Sequence, residues 1–371
     1  MSGGTTLHRW AIAGGGTGGH VTPALALAER IAARGDEVVL IGSPHGLETR
    51  LVPEAGLPLV TLPARQIMGR GPIARIHALL DIGRGVLAAR RLLRSHRVEM
   101  VLSVGGYASV PAACAAVIAG IPLALVEPNA RPGRANRLAA RFARRIFVHF
   151  EAAAEGLARP GDPRIATLGI PLRTELVRAF EQAPPRRAPS PPYGLLVFGG
   201  SQGARQLNDA MIELAPRLAD RPLRVVHQTG EADRERVAEA YARAGVDAEV
   251  LAFEPDMPRR YREADLALCR AGALTVAELA MAGLPALLVP YPFAADDHQA
   301  ANARALADAG AARILASRPL DPEAVLGEIA ALCDAPDALR AMSESASKLA
   351  RPDAADRIVD TCTALLEREA R

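Results

Sequence analysis

The sequence predicts an α/β protein made of two doubly wound, Rossmann-like parallel-sheet domains that face a cleft. The chain has 371 residues, which is enough for two separate hydrophobic cores. Half of the residues are hydrophobic and few are aromatic, which suits sheets and helices packed through Ala, Leu, Val and Ile. Short apolar runs alternate with segments of helical periodicity along the chain. That alternation is typical of parallel sheets covered by helices on both faces.

The short apolar runs fall into two groups, and each group predicts one sheet. The first group comprises residues 10–13, 37–41, 100–104, 122–126 and 145–148, and the second comprises residues 193–198, 223–227, 248–251, 266–269 and 286–289. Between the groups, residues 181–192 contain five prolines, which cannot continue a helix. We therefore expect a first domain over residues 1–170 and a second over 171–350. A last helix at about 351–371 can pack back on the first domain.

One charge-free stretch, residues 100–126, is long enough to span a bilayer. Gly105, Gly106, Pro111 and Pro122 divide it, so it predicts a buried strand, a loop, a short helix and a second buried strand. No signal-peptide pattern precedes Gly14. The four cysteines lie far apart and show neither metal-ligand nor disulfide spacing, so we expect a reduced, cytoplasmic chain.

Basic residues outnumber acidic ones in the first 165 residues, and the opposite holds for the remainder, so the first half suits an anionic partner. Residues 65–97 carry eight arginines and one acid, and residues 131–145 carry six arginines and no acid. The first of these stretches interleaves apolar side chains able to enter a membrane interface: Ile67, Met68, Ile73, Ile76, Leu79, Leu80 and Ile82. Few aromatics are present to stack bases, so an anionic membrane surface is favoured over nucleic acid, with a solvated basic face as the alternative.

The first glycine motif, residues 14–20, reads Gly-Gly-Gly-Thr-Gly-Gly-His and follows a predicted strand directly. Such a turn lets backbone N–H groups and a helix N-terminus approach an anionic or polar ligand. Its spacing also matches a dinucleotide fingerprint, but the second strand ends without the acid that would hold a ribose. His20 is a candidate general base, because imidazole exchanges protons near neutral pH. A capping or packing histidine is the alternative.

Four further motifs follow predicted strands. Residues 105–107 read Gly-Gly-Tyr, which by itself is weak evidence for a ligand site. Residues 199–205 predict a diphosphate cradle, or a simple helix cap by Ser201. Glu278 lies one turn into the helix that follows residues 270–273, where it can accept both hydroxyls of a ribose or offset the helix dipole. Residues 296–299 with Asn302 form a polar cluster, or a solvated loop and helix cap.

Together these motifs resemble one family, the peptidoglycan N-acetylglucosaminyltransferases that convert lipid I to lipid II. The resemblance rests on GGTGGH (15–20), GGY (105–107), GGSQGA (199–204), HQTG (227–230), CRAGALTVAE (269–278) and DDHQ (296–299), and it covers nearly the whole chain. It implies the glycosyltransferase B fold, UDP-N-acetylglucosamine as donor and undecaprenyl-diphosphate muramoyl-pentapeptide as acceptor. It also implies a peripheral protein on the cytoplasmic face of the bacterial inner membrane.

By this resemblance, the second domain binds the UDP-sugar and the first binds the acceptor and the membrane. Phe253 and the backbone of Glu254 would border the uracil, and Glu278 would hold the ribose. The implied diphosphate contacts are Ser201, Gln202, Arg173, Ala273, Leu274 and Thr275. His298 and Gln299 would contact the sugar hydroxyls, while Thr17, Gly18, Gly19 and Asn129 would reach the substrates from the first domain.

The implied reaction is an inverting transfer in which His20 takes the proton of the muramoyl C4 hydroxyl. No metal motif and no cofactor motif is apparent in the sequence, so we expect chemistry without either. The sequence departs from the family pattern at Val126, Pro128, Ile170, Ala271 and His298, which bears on fine substrate contacts. The alternatives are a non-hydrolysing UDP-N-acetylglucosamine 2-epimerase, a natural-product glycosyltransferase, or a cell-wall scaffold that retains the fold without the activity.

Overall fold

The computed structural model describes residues 7–64, 72–184, 186–200, 202–316 and 319–369, and of residues 72–79 and 295 it describes the backbone alone. The chain forms two compact units. The first comprises Met1–Glu175 together with Arg351–Arg371, and the second comprises Leu176–Ala350.

The first unit is built on seven strands: β1 (Arg9–Gly14), β2 (Glu37–Gly42), β3 (Leu59–Thr61), β4 (Met100–Gly105), β5 (Leu123–Glu127), β6 (Arg145–Val148) and β7 (Ile165–Thr167). They form one parallel sheet in the order β3-β2-β1-β4-β5-β6-β7. The helices between them are α1 (Gly18–Ala33), α2 (Glu48–Glu54), α3 (Pro72–Ser95), α4 (Val110–Ala119) and α5 (Arg134–Ala139). The charge-free stretch 100–126 thus forms β4, a turn, α4 and most of β5, as predicted. Among the described residues, no helix is long and apolar enough to cross a membrane.

Helix α6 (Thr174–Glu181) begins in the first unit and ends in the second. The second unit contains the strands β8 (Tyr193–Phe198), β9 (Leu223–Gln228), β10 (Ala248–Leu251), β11 (Leu266–Cys269), β12 (Ala286–Leu288) and β13 (Ala312–Ile314). Their order is β10-β9-β8-β11-β12-β13, and every neighbouring pair is parallel. Its helices are α7 (Arg205–Leu218), α8 (Arg234–Ala244), α9 (Met257–Glu263), α10 (Ala273–Ala282), α11 (His298–Asp308), α12 (Pro322–Cys333) and α13 (Pro336–Lys348). The fold class predicted from the sequence, α/β with two doubly wound parallel sheets, is confirmed.

The last helix, α14 (Ala354–Glu369), packs on the first unit. Its Ile358, Val359, Cys362 and Leu366 join the cluster that α1 forms against one face of the first sheet. Burial of each large apolar side chain contributes roughly 1.5–3 kcal/mol, so this seam is the main source of the attachment. Ion pairs add to it at the rim, including Arg34 with Asp360 at 2.6 Å.

Strand order fixes where a ligand site is expected in each unit. In the first sheet the order reverses between β1 and β4, and in the second it reverses between β8 and β11. Ligands of open α/β sheets bind beside the carboxyl ends of the strands at such a switch point. The turns that leave these four strands begin at Gly14, Gly105, Gly199 and Arg270. The glycine motifs therefore lie where the topology places a binding site.

Candidate active site

The first glycine turn joins β1 to α1 at the switch point of the first sheet. Gly16 has a φ of +89°, a left-handed value that side chains disfavour. Thr17 then takes extended backbone, and its carbonyl accepts a hydrogen bond of 3.1 Å from the backbone N–H of His20. The structure therefore brings four predicted residues together in the first turn of α1: Thr17, Gly18, Gly19 and His20.

The His20 ring lies between the two glycine motifs of the first unit. Its Nδ1 is 3.0 Å from Thr17 Oγ, a hydrogen bond whose direction depends on the imidazole tautomer. Gly106, with a φ of +77°, passes so close that a Cβ at this position would lie 3.5 Å from His20 Nδ1. The contact with Thr17 restrains the ring, so the motif pair presents one oriented, half-buried imidazole at the sheet edge.

Asn129 lies on the loop after β5, which Glu127 organises. The buried Glu127 carboxylate accepts hydrogen bonds from the backbone N–H groups of Asn129 at 3.0 Å and Gly133 at 2.9 Å, and from Asn136 Nδ2 at 2.9 Å. Burial raises the pKa of this carboxyl, while these hydrogen bonds oppose the increase. Glu127 thus keeps the loop shape although Val126 and Pro128 depart from the family pattern.

Arg173, for which the resemblance implies a diphosphate contact, is ion-paired within the first unit. Its Nε lies 2.6 Å from Glu29 Oε1 on α1. Both side chains are about a quarter to a third exposed, so water screens the pair in part. The role of Arg173 at the donor stays a prediction.

The second unit has a matching glycine turn between β8 and α7. Gly200 and Gly203 have φ values of +91° and +72°. A Cβ at Gly203 would lie 1.8 Å from the carbonyl oxygen of Thr229, so only glycine fits against the turn that follows β9. A Cβ at Gly230 would lie 2.3 Å from the carbonyl oxygen of Gln202. The GGSQGA and HQTG motifs are therefore two halves of one packed turn. Ser201 lies outside the described residues.

Buried polar side chains stabilise this packed turn through hydrogen bonds. Asn208 Nδ2 donates to the carbonyl of Thr229 at 3.0 Å, and Asn208 Oδ1 lies 3.0 Å from His227 Nε2. His227 Nδ1 is 2.9 Å from the Tyr241 hydroxyl. Burial lowers the pKa of His227 to about 3, so this imidazole is neutral and supports the structure rather than exchanging protons.

Glu278 lies on α10 and accepts a hydrogen bond of 2.7 Å from the Tyr261 hydroxyl. Burial raises the pKa of Glu278 to about 7, and the Tyr261 hydrogen bond opposes that shift. Tyr261 is fully buried. Ala273, Leu274 and Thr275 form the first turn of the same helix, after Gly272. The predicted ribose residue and the predicted backbone donors therefore share one helix.

Phe253 and Glu254 follow β10 and differ in exposure. Phe253 is 61% exposed, as a side chain available to stack on a base would be. Glu254 is buried, and its carboxylate accepts from the backbone N–H of Asp256 at 2.8 Å and pairs with Arg260. The Glu254 side chain is thus used for structure, which is compatible with the predicted use of its backbone alone.

The last predicted pair, His298 and Gln299, begins α11. The two preceding residues, Asp296 and Asp297, have φ values of +52° and +55°, a left-handed turn rarely adopted by residues other than glycine. Gln299 Oε1 accepts a hydrogen bond of 2.9 Å from the backbone N–H of Tyr291. This bond ties α11 to the loop that carries Tyr291 and Phe293.

A pocket of about 750 Å³ opens in the second unit between these elements. Its lining includes residues of and just after the glycine turn, namely Gly199, Gly203, Ala204, Arg205 and Gln206, together with Arg270, Tyr291, Phe293 and Gln299. Of the predicted site residues that are described, Gln299 lines it, whereas Phe253, Glu254, His298, Glu278 and the first turn of α10 do not. The volume suits part of a nucleotide sugar.

Of the two charged residues at this pocket that sequence reasoning did not select, Arg205 is exposed and Arg270 is half-buried. Arg270 Nη1 donates to Gln206 Oε1 at 3.1 Å and to the carbonyl of Val289 at 3.2 Å, and its guanidinium lies 5.4 Å from the Tyr291 ring centroid. Burial lowers its pKa, yet arginine keeps its charge at neutral pH. Its position directly after β11 was the available signal. Within the described part of the chain, no group of three or more His, Cys, Asp or Glu is placed to hold a metal ion.

Two parallel-sheet units with glycine turns at both switch points are the architecture of the glycosyltransferase B fold. The sequence matches the models of two protein-family domains. Residues 10–148 match the glycosyltransferase family 28 N-terminal domain, and residues 194–358 match the glycosyltransferase family 28 C-terminal domain. The chain belongs to glycosyltransferase family 28.

Relatives support the same placement over nearly the whole length. A UDP-N-acetylglucosamine–N-acetylmuramyl-(pentapeptide) pyrophosphoryl-undecaprenol N-acetylglucosamine transferase of Anaeromyxobacter sp. (strain Fw109-5) is 43% identical over 97% of this chain and 94% of the relative. The transferase of that name from Geobacter metallireducens is 41% identical over 95% of this chain and 97% of the relative. The crystal structure of Acinetobacter baumannii MurG matches with a TM-score of 0.79 and 33% identity, covering 95% of this chain and 98% of that one. The resemblance found in the sequence is confirmed, as is the class of enzyme.

Proposed function

We propose that the chain transfers N-acetylglucosamine from UDP-N-acetylglucosamine to the C4 hydroxyl of the muramoyl group of undecaprenyl-diphosphate muramoyl-pentapeptide. The reaction converts lipid I to lipid II in peptidoglycan synthesis. The observation that carries the proposal is similarity along nearly the full length to transferases whose names state this donor and this acceptor. The glycine turns at both switch points agree with it, since each offers backbone N–H groups to a phosphate-bearing substrate.

In this proposal the second unit binds the donor. Phe253 stacks on the uracil beside the backbone of Glu254, and Glu278 accepts hydrogen bonds from the ribose. The diphosphate is bound by Ser201, Gln202 and the first turn of α10, Ala273 to Thr275, and the sugar hydroxyls by His298 and Gln299. We add Arg270, because its guanidinium lines the pocket and is half-buried and hydrogen-bonded, whereas that of Arg205 is exposed. Arg173 remains a candidate for the same diphosphate.

The first unit binds the acceptor, Thr17, Gly18, Gly19 and Asn129 reach the substrates from this unit, and His20 serves as the base. His20 takes the proton of the C4 hydroxyl while the C4 oxygen bonds to the anomeric carbon. The bond from that carbon to the UDP oxygen breaks on the opposite face, so the configuration inverts. Negative charge gathers on the departing UDP, where fixed backbone donors and Arg270 stabilise it. Since these groups supply the positive potential, we expect turnover without a metal or cofactor.

The first unit also carries the proposed membrane surface. Helices α3 and α4 pack together and leave Leu80, Leu87, Val117 and Ile118 exposed. Of the other apolar residues named above, Ile67 and Met68 lie outside the described residues, as do the side chains of Ile73, Ile76 and Leu79. Among the described side chains of α3, the arginines Arg84, Arg91 and Arg94 are exposed. Apolar side chains beside arginines match the chemistry of an anionic bilayer surface. We place the protein peripherally on the cytoplasmic face of the inner membrane.

A transfer assay tests the proposed reaction. Labelled UDP-N-acetylglucosamine is incubated with a short-chain lipid I analogue, with and without EDTA. A labelled disaccharide-lipid that forms equally with EDTA supports the proposal. Conversion of the nucleotide sugar without acceptor would instead identify a 2-epimerase. Transfer only to another acceptor would mean that Val126, Pro128 and Ile170 mark a changed acceptor site, and no turnover would favour a scaffold.

A further inference from the structure

Glu48 is a buried carboxylate at the start of α2, and its oxygens accept hydrogen bonds from two different turns. Its Oε1 accepts from the backbone N–H and the hydroxyl of Ser43, both at 2.8 Å. Its Oε2 accepts from the backbone N–H of Gly16 at 2.9 Å. Glu48 is 1% exposed, so protein groups rather than water compensate its charge. The carboxylate thus joins the turn after β2 to the first glycine turn.

Three glycines make the space that this carboxylate fills. A Cβ would lie 2.2 Å from a Glu48 atom at Gly15, 2.5 Å at Gly42 and 2.0 Å at Gly46. Real Cβ atoms do not approach that closely, so a side chain at any of these positions would displace Glu48. The buried Glu48 side chain is therefore a structural reason for glycine at these three positions, whether or not they also contact a ligand.

The contacts of Glu48 continue to the second glycine motif and close a ring. The Ser43 hydroxyl lies 3.3 Å from the Tyr107 hydroxyl. The Tyr107 ring lies against Gly16, where a Cβ would be 2.9 Å from its Cε1. Glu48, Ser43, Tyr107 and Gly16 therefore restrain one another. The residue after Gly16 is Thr17, whose hydroxyl contacts the His20 ring.

We propose that Glu48 is a positioning residue of the transfer reaction, holding the first glycine turn so that Thr17 and His20 keep the geometry needed for proton removal. The inference rests on the proposed role of His20. Glu48 is buried and bonded to the turns, so it acts through them rather than on the substrate. A misplacement of about 1 Å in a reacting group can cost about 10²-fold in rate, which gives a small movement of this turn a measurable effect.

Glu48→Gln tests this with little change in volume. One carboxylate oxygen becomes an amide NH₂, which then faces the N–H of either Gly16 or Ser43, so one hydrogen bond is lost. We expect kcat to fall about 10- to 100-fold, with the KM for UDP-N-acetylglucosamine and the calorimetric Kd for UDP unchanged. Glu99→Gln is the matched control. Glu99 Oε2 also accepts a backbone N–H, that of Arg9 at 2.9 Å, but at the opposite end of β1. Its kcat should match the wild type.

A double-mutant cycle separates this proposal from the proposed role of His20. If Glu48 acts through His20, Glu48→Gln should slow the wild type but have little further effect on His20→Ala. Equal losses in both backgrounds would overturn the inference, and so would an unchanged kcat in Glu48→Gln. Full activity of His20→Ala would overturn the base assignment instead. Should Glu48→Gln not fold, Ser43→Ala removes the hydroxyl that donates to Glu48 at 2.8 Å and lies 3.3 Å from the Tyr107 hydroxyl. It should lower kcat about 3- to 10-fold, the order of effect expected from the shorter of these two contacts. Wild-type kcat in a folded Ser43→Ala would then overturn the inference.

Discussion

The Tyr261 hydroxyl donates a 2.7 Å hydrogen bond to Glu278 Oε2, the carboxylate that we propose for the ribose. Tyr261 is fully buried, so this hydrogen bond is shielded from water. It opposes the effect of burial on the pKa of Glu278. Tyr261 thereby influences both the orientation and the charge of the carboxylate that we propose for the ribose.

The first prediction concerns the pH dependence of donor binding. Ribose hydroxyls donate to an ionised carboxylate more strongly than to a neutral one. Because the pKa of Glu278 is about 7, affinity for UDP-N-acetylglucosamine should rise as the pH increases through that value. Tyr261→Phe removes the hydrogen bond that lowers the pKa and should move the midpoint to higher pH. Calorimetry across this range measures both. UDP-N-acetylglucosamine is the better ligand for this measurement than UDP, because the terminal phosphate of UDP itself titrates at about pH 6.

The second prediction is that Glu278→Ala weakens UDP binding by roughly 1–3 kcal/mol, the usual effect of losing hydrogen bonds to a charged group. Glu278→Gln serves as the control, because it keeps the volume and an acceptor while removing the charge. It should bind UDP more tightly than the alanine variant does, and its affinity for UDP-N-acetylglucosamine should not depend on pH near neutrality. Unchanged UDP affinity in a folded Glu278→Ala protein would show that the ribose lies elsewhere.

The third prediction follows from the same carboxyl and concerns stability. Its folded pKa, about 7, lies above the value of 4.5 for a free glutamate, so the folded state binds more protons between these two values. Its contribution to folding is therefore most favourable below about pH 4.5 and is lost as the pH rises through about 7. Glu278→Gln, which cannot ionise, should gain stability relative to the wild type between those pH values. Urea unfolding at both ends of the window measures the difference, and a constant difference would contradict it.

The fourth prediction concerns Arg270. Lysine lacks the planar guanidinium of Arg270, whose Nη1 donates to Gln206 and Val289 while its central carbon lies over the Tyr291 ring. Arg270→Lys should therefore weaken UDP-N-acetylglucosamine binding about 10- to 100-fold, as for a lost hydrogen bond to a charged phosphate. Arg205→Lys is the control. Arg205 lines the same pocket, but its side chain is exposed and its Nε lies as far as 4.0 Å from Asp209 Oδ2. Equal affinities of the two variants would mean that Arg270 only supports Tyr291.

The sequence predicts most of the fold because the central strands are apolar runs of four or more residues with helical segments between them. Every strand of that kind was predicted. The strands β3, β7 and β13 were not, since each has three residues and so too few to display a period. The three-residue β12 was predicted because Val289 extends its apolar run to four residues. The glycine turns were also predictable, because a close approach or a left-handed φ at Gly16 or Gly203 requires glycine.

The side-chain partners of the candidate site were not predictable, because they come from distant parts of the chain. Glu48 and Gly16 are 32 residues apart, and Tyr261 and Glu278 lie on different helices. In the sequence, Glu48 has the same appearance as any acid in the first turn of a helix. Pairing of Arg173 with Glu29 is equally invisible until α1 and the segment after β7 are placed side by side.

The fifth prediction concerns the surface formed by α3 and α4. Leu87 and Ile118 are 60% and 59% exposed, so replacing both by aspartate should cost little stability in solution. It should nevertheless reduce co-sedimentation with vesicles of anionic lipid about 10-fold or more, because two apolar contacts are lost and two negative charges are repelled. Leu7→Asp is the control, since Leu7 is 45% exposed but precedes β1 and does not belong to α3 or α4.

Binding of the wild type should rise with anionic lipid and fall with salt, as expected for charges screened over about 8–10 Å. If sedimentation of the wild type depends on neither lipid charge nor salt, the arginines of this surface are solvated and do not bind a membrane. If only the Leu87 and Ile118 variant keeps wild-type binding, the protein attaches through another surface, and residues 131–145 would be the next to test.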